Sequence, residues 1–306
     1  MKGFIGIAKA LVCCAVVMAV ITSCSKKNGS EEAEAAYESE IAELHCKGGD
    51  IDIYGLMYMP KGKEGKLPVV ILSHSSSLTH AAMVPYAEYL SEKGYAAYCF
   101  DFCGSSDKSQ SKGRTTDEMT VFTEVEDLEI VLDKISSLDY IDQSRVYVLG
   151  SSQGGLVTAL VAEKHQDDIK GMILFYPAFN MPEIIAKFTS SSGLGGILGS
   201  IGGGNMGMSD AFVESIKDFD VYANIGAFSR PVKIIHGSND IIVNVSYSEQ
   251  AVAVYPNATL DIIQGANHGF NADNLGGFGG MGGASADYDS EVIPIVLEYM
   301  STNAPL

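Results

Sequence analysis

Positive charge is scarce in this sequence. Its 306 residues hold 20 lysines and arginines against 38 aspartates and glutamates, a formal net charge of −18. Nucleic-acid binding needs lysine and arginine to meet phosphates, so that class of partner is excluded. An anionic membrane surface would repel so acidic a body. A long apolar run is also missing. LVCCAVVMAVI, at 11–21, falls short of the roughly 20 residues that cross a bilayer. There is no CxxC pair and no His/Cys cluster, hence no expected metal site. Two Gly-rich stretches, SSGLGGILGSIGGGNMGMSD and LGGFGGMGGAS, do not directly follow a strand, and no GK[ST] appears, so neither reads as a phosphate cradle. No cofactor is expected, and no repeat of solenoid length is visible.

The apolar run at 11–21 follows Lys2 and Lys9 and ends in Ile21-Thr22-Ser23-Cys24. Its length suits a secretory signal. Small residues directly before a cysteine resemble the lipobox of bacterial lipoproteins. That resemblance implies cleavage before Cys24 and lipid attachment to its sulfur; a plain signal peptide or an uncleaved anchor are the alternatives. Several acyl chains on one residue anchor stably. The expected location is the bacterial cell envelope, with the protein facing the periplasm or the exterior and meeting the membrane through Cys24. Residues 1–23 form the leader, and 24–40, polar and without periodicity, read as a flexible tether. Loss of the leader removes two lysines and no acids. Of six cysteines, Cys46, Cys99 and Cys103 then remain free of leader and lipid. Cys99 and Cys103 would lie roughly 13 Å apart on extended chain, too far to pair, so free structural thiols are expected.

From residue 41 the pattern alternates. IAELHCKGGDIDIYGLMYMP predicts two antiparallel strands joined at Gly48-Gly49-Asp50,. LPVVILSH, YAAYCFDF, RVYVLG, GMILFYP, PVKIIHG and TLDIIQG read as further strands. Helices are expected over 81–94, 117–137, the segment after GSSQGG, SYSEQAVAVYP, and DYDSEVIPIVLEYM,. Apolar runs of this kind suit a sheet covered on both faces. The fold class is therefore α/β, a mostly parallel sheet with helices on both faces, spanning 41–306. Residues 178–222 are too long for an ordinary connection and read as a short cap insertion.

Gly150-Ser151-Ser152-Gln153-Gly154 fits G-x-S-x-G, with a strand before it and a helix after, the setting a nucleophile elbow needs. The tight turn requires small flanking residues and lifts the serine oxygen above the sheet. The helix N-terminus below it favours a developing oxyanion. A serine hydroxyl needs a base to take its proton. Asp240, after PVKIIHG, and His268, after TLDIIQG, come in the order Ser, acid, His, each behind its own strand. His236, His74, His80, His45 and His165 are poorer candidates for the base. His236 and His74 sit where strands enter turns and suit loop bracing.

With LPVVILSH and its following loop, YCFDFCGSSDKS, MTVFTEVEDL, GSSQGG, PVKIIHGSNDIIV and YPNATLDIIQGANHGF, the chain from about 41 to 300 resembles the α/β-hydrolases. Within them it is similar to bacterial cinnamoyl- and feruloyl-esterase-like and dienelactone-hydrolase-like enzymes. The resemblance implies Ser152 as nucleophile, His268 as general base then acid, and Asp240 as the group that orients the imidazole. It also implies an oxyanion hole from the backbone N–H groups of Gln153 and Ser76. Relatives carry a glycine-containing phrase after the first parallel strand, where this chain has His74-Ser75-Ser76-Ser77. The added hydroxyls could meet substrate. Met206, Met208 and Phe212 could line a pocket or pack the cap onto the body. The expected activity is cleavage of a small-molecule carboxylic ester through an acyl-enzyme. A prolyl-oligopeptidase-like peptidase and a non-catalytic ligand-binding surface lipoprotein are the alternatives.

Overall fold

The computed structural model describes residues 37–190, 208–271 and 288–306. The leader, Cys24, Met206, most of the first Gly-rich stretch and all of the second lie outside the described residues. Strands β1 (Ser39–Gly48) and β2 (Ile51–Pro60) form the expected hairpin. Its turn places Gly49 at φ 58, where a residue without a Cβ is favoured. β1 begins two residues inside the stretch expected to be tether. β2 pairs antiparallel with β4 (Ala96–Phe100). The rest of the sheet is parallel: β3 (Leu67–Ser73), β5 (Ile141–Ser151), β6 (Ile169–Phe175), β7 (Val232–Gly237) and β8 (Ala258–Ile263). The spatial order is β1-β2-β4-β3-β5-β6-β7-β8.

Side-chain alternation sorts the core into two layers. Val69, Ile71, Tyr98, Phe100, Val146 and Val148 face one side of the sheet. Val70, Leu72, Ala97, Cys99, Tyr147 and Leu149 face the other. The second side is covered by α1 (Val84–Glu92) and α7 (Asp289–Asn303) through Ala87, Leu90, Val292, Val296 and Met300. The first is covered mainly by α2 (Val121–Ser136) and α3 (Gln153–Lys164), whose Val125, Leu128, Val131, Leu156 and Leu160 are buried. Each such side chain contributes about 1.5–3 kcal/mol of apolar burial. All seven residues of β3 are buried, as expected of a strand covered on both faces. Cys46, Cys99 and Cys103 are free and buried.

α2 starts at Val121, later than the 117 expected. Thr120 caps it, its hydroxyl accepting from Thr123 N–H at 3.1 Å while Thr123 Oγ1 accepts from Thr120 N–H at 2.8 Å. That reciprocal pair closes the helix start.

Between β6 and β7 the chain makes α4 (Met181–Ser190), α5 (Asp210–Ile216) and a 3-10 turn at Tyr222–Asn224. This is the region expected as a cap. Phe212 is 1% exposed and Met208 packs against the same core layer, so both serve packing. Phe219 meets Phe122 of α2 edge-on, with ring centroids 5.2 Å apart. A further helix among the described residues, α6 (Ser246–Val254), joins β7 to β8. Because β3, β5, β7 and β8 run the same way, the segments that follow them gather at one edge of the sheet. Ligands of open α/β sheets bind at that edge.

Candidate active site

Ser152 stands in the one-residue turn between β5 and α3, at φ 51 and ψ −116. A side-chain-bearing residue rarely adopts this conformation, which costs about 1–3 kcal/mol and must be held by its surroundings. Three backbone bonds supply that hold. Ser152 N–H donates to Phe175 O at 2.9 Å, and Ser152 O accepts from Ala178 N–H at 2.9 Å and Leu156 N–H at 3.1 Å. The flanking glycines answer to close approach. A Cβ on Gly154 would collide with the carbonyl oxygens of His74 and Ser73, and one on Gly150 with Gly154 O and Thr158 Oγ1. The end of β3 therefore lies directly against the first turn of α3.

His268 Nε2 is 3.0 Å from Ser152 Oγ, and its Nδ1 is 2.7 Å from Asp240 Oδ2. The three side chains come from three separate strand ends. The geometry fits a neutral imidazole that donates Nδ1–H to the carboxylate and accepts the Ser152 hydroxyl proton at Nε2. Asp240 Oδ1 accepts from the backbone N–H of Ile242 at 2.9 Å and of Val243 at 2.8 Å. His236 Nε2 lies 3.2 Å from Asp240 Oδ2. Burial works against the Asp240 charge. Hydrogen bonds from His236, His268 and Val243 outweigh it and hold the carboxyl well below the usual carboxylate range,.

The loop histidines brace this arrangement. His236 donates Nε2–H to Val243 O at 2.8 Å, and its Nδ1 is 2.7 Å from Ser248 Oγ. His74 Nδ1–H donates to Ser75 O at 2.8 Å, and its Nε2 accepts from Phe102 N–H at 3.1 Å. Burial pushes the His74 imidazole down to about 4, which keeps it neutral and ties the loop after β3 to the end of β4.

That loop carries Ser76. Leu78 N–H donates to Ser75 O at 3.2 Å, closing a four-residue turn. The left-handed conformation falls on Ser77, at φ 59, and not on Ser76. The Ser75 hydroxyl is 2.9 Å from that of Ser151. It links the Ser76 turn to the residue before Ser152, and so is engaged in structure where sequence left it open to substrate. Gln153 begins α3, so its backbone N–H has no acceptor within the helix.

Motif reading passes over two residues beside the site. Tyr176, at φ 36, donates its N–H to Ile235 O at 2.9 Å and sets its ring 4.6 Å from the His268 imidazole. Nothing in GMILFYP distinguishes it from a core aromatic. Glu124 of α2 is 1% exposed, and its Oε2 accepts from Gln153 Nε2 at 2.7 Å. A signal for it exists: 121, 124, 125, 127, 128, 131, 132 and 135 form the buried stripe of α2, and the acids on that stripe, Glu124 and Asp127, are marked as unusual. Among the described residues, no group of three His, Cys, Asp or Glu side chains could hold a metal ion. No described helix is long and apolar enough to cross a membrane.

The model of a family described as serine aminopeptidase, S33, matches residues 66–200. A proline iminopeptidase of Flavobacterium johnsoniae is 28% identical over 122 residues, 40% of this chain. The match spans 39% of that relative's own length. Among solved structures, Est1E from Butyrivibrio proteoclasticus, determined with ferulic acid bound, has a TM-score of 0.68 at 24% identity. The match covers 85% of this chain and 98% of Est1E. The Pyrococcus furiosus esterase Pf2001 has a TM-score of 0.63 at 20% identity, with coverage of 86% and 91%. At these identities the structural likenesses carry the fold, which is the α/β-hydrolase fold.

Proposed function

We propose that this chain, an α/β-hydrolase by fold, is a serine hydrolase that cleaves small carboxylic esters through an acyl-enzyme. The observation that carries the reading is the relay from Ser152 Oγ to His268 Nε2 at 3.0 Å and from His268 Nδ1 to Asp240 Oδ2 at 2.7 Å. In the first step Ser152 Oγ attacks the ester carbonyl carbon and its proton passes to His268 Nε2. The carbonyl oxygen becomes an oxyanion, held by the backbone N–H groups of Gln153 and Ser76. Collapse of that intermediate expels the alcohol, which takes the proton from His268. A water activated by the same imidazole then releases the acid and restores Ser152. Asp240 fixes the tautomer and stabilises the imidazolium without taking its proton.

The similarity to a proline iminopeptidase and to the serine aminopeptidase model favours a second reading, an aminopeptidase. Such an enzyme must hold a substrate ammonium, and a carboxylate is the natural partner for it. The two buried acids described beside Ser152 are already engaged, Asp240 by two histidines and Glu124 by Gln153. That supports the ester. Lipid attachment at Cys24 belongs to the same proposal and places the enzyme on a membrane of the cell envelope.

Expression from residue 25 tests both parts. The shortened chain should be soluble and should hydrolyse aryl and hydroxycinnamate methyl esters but not proline anilide. The full chain should partition with membranes, and Cys24→Ser should release it. Cleavage of the anilide alone would shift the reading to the aminopeptidase, and a full chain soluble with Cys24 intact would remove the anchor.

A further inference from the structure

Glu124 and Gln153 form a buried side-chain pair directly behind the proposed oxyanion donor. Gln153 Nε2 donates to Glu124 Oε2 at 2.7 Å, and Met119 Sδ lies 4.0 Å from the same nitrogen. Gln153 Oε1 is buried with no hydrogen-bond partner. A buried orphan acceptor is costly, and here it sits one side chain away from a carboxyl that could donate to it.

The other charged group facing the pair from α2 is Asp127, one turn along. Asp127 is itself engaged by the guanidinium of Arg114 and by Cys103 N–H at 2.8 Å. Arg114 also reaches Glu126 at 2.5 Å. From α3 the pair is faced by Gln153 itself, and from the segment before α2 by Met119. Among the described residues, no cation therefore compensates a charge on Glu124.

We propose that Glu124 is a positioning residue for the oxyanion hole: its carboxyl anchors the Gln153 side chain and so fixes the backbone N–H of Gln153 toward the reacting carbonyl oxygen. The inference rests on the reading of Ser152 as the nucleophile. The anchor has two forms that differ by one proton. An ionised carboxyl accepts from Nε2, as in the geometry above. A protonated carboxyl can donate its O–H to Oε1 after the Gln153 amide turns by half a rotation, which gives the orphan acceptor a partner. Burial pushes the Glu124 carboxyl up to about 8, against the hydrogen bond from Gln153 and with the nearby Asp127 charge adding to the rise. The neutral form therefore prevails at neutral pH. Above about 8 a negative charge appears behind the oxyanion donor, where it opposes the charge developing on the substrate.

The test compares wild type, Glu124→Ala and Glu124→Gln in the full chain with an aryl ester. Wild-type kcat should fall as pH rises through about 8. Glu124→Ala should lower kcat at pH 7 by about tenfold with KM changed less than about twofold. Glu124→Gln, which keeps a hydrogen-bonding amide without a charge, should recover most of that loss and abolish the fall above pH 8.

Thermal unfolding gives a readout independent of activity. The folded chain keeps a Glu124 proton that the unfolded chain loses near the usual carboxylate pKa, so stability drops as pH climbs from about 4.5 to 8. Glu124→Gln should flatten the upper part of that drop. Asp127, raised to about 6 mainly by burial, contributes the same sign lower in the window and would remain.

If Glu124→Ala keeps wild-type kcat, or if Glu124→Gln keeps the wild-type pH profile, the proposal is overturned while the serine mechanism stands. If Glu124→Ala does not fold, the Glu124→Gln pH profile decides alone. A folded wild type that neither hydrolyses esters nor labels with a fluorophosphonate at Ser152 would overturn both.

Discussion

Alanine at position 152 is expected to lower kcat by about 10⁵-fold or more, the loss seen when a serine nucleophile that acts with its histidine is removed. The fold should survive. Ser152 is held in its unusual conformation by backbone bonds to Phe175, Ala178 and Leu156, all of which alanine can make. The side chain contributes one hydrogen bond, to His268 at 3.0 Å, and its removal leaves a space no larger than a hydroxyl. Steady-state kinetics beside a circular dichroism melt separates the two effects. A variant with an unchanged melt and lost turnover is the expected result. Ester hydrolysis persisting at the wild-type rate would mean that the serine at the elbow is not the nucleophile.

Asparagine at position 240 is expected to cost about 10⁴-fold in kcat, the scale found when the orienting aspartate of such a relay is replaced by its amide. The cause lies at Oδ2. That atom receives His268 Nδ1–H at 2.7 Å and lies 3.2 Å from His236 Nε2. An amide nitrogen there donates to His268 Nδ1, which moves the imidazole proton to Nε2 and leaves Ser152 facing a donor. Oδ1 keeps its bonds from the N–H groups of Ile242 and Val243 in either residue, so the loop after β7 should hold its shape. The stability consequence has the opposite sign to that of Glu124. The depressed Asp240 carboxyl stabilises the fold above the usual carboxylate pKa, and the contribution disappears as pH falls below it,. The Asp240→Asn variant should therefore lose stability less steeply than wild type on acidification, while its kcat stays low at every pH. A kcat within tenfold of wild type would show that Asp240 does not set the tautomer.

Much of this architecture can be read from the residues because the physics is local and periodic. LPVVIL and VYVLG carry no polar residue, and a strand buried on both faces needs that. The parallel arrangement then brings the segments after β3, β5, β7 and β8 to one edge, so Ser152, Asp240 and His268 can be expected together before any distance is known. The bracing histidines are also legible, since His74 and His236 each end a buried strand.

What resists reading depends on which way a side chain turns. The acids of α2 look like a solvent face, yet Glu124 and Asp127 are buried while Glu126 and Asp133 are exposed. Only the helical stripe through 121, 125, 128 and 132 separates the two sets. The loop after β3 offers three consecutive serines, and sequence cannot say which takes the left-handed conformation. Closure of the Ser75–Leu78 turn puts it on Ser77. The pairing of the Ser75 and Ser151 hydroxyls at 2.9 Å joins residues 76 apart in sequence. It depends on the close approach of β3 to α3 that Gly154 permits.

Catalysis by this route needs Ser152 activated by His268. The direct measurement treats the chain expressed from residue 25 with a fluorophosphonate, locates the adduct by peptide mass, and runs His268→Ala in parallel. One adduct is expected, on Ser152, formed at a rate that collapses in His268→Ala. A folded chain that takes no label at Ser152, or that labels equally well without His268, would rule this activation out.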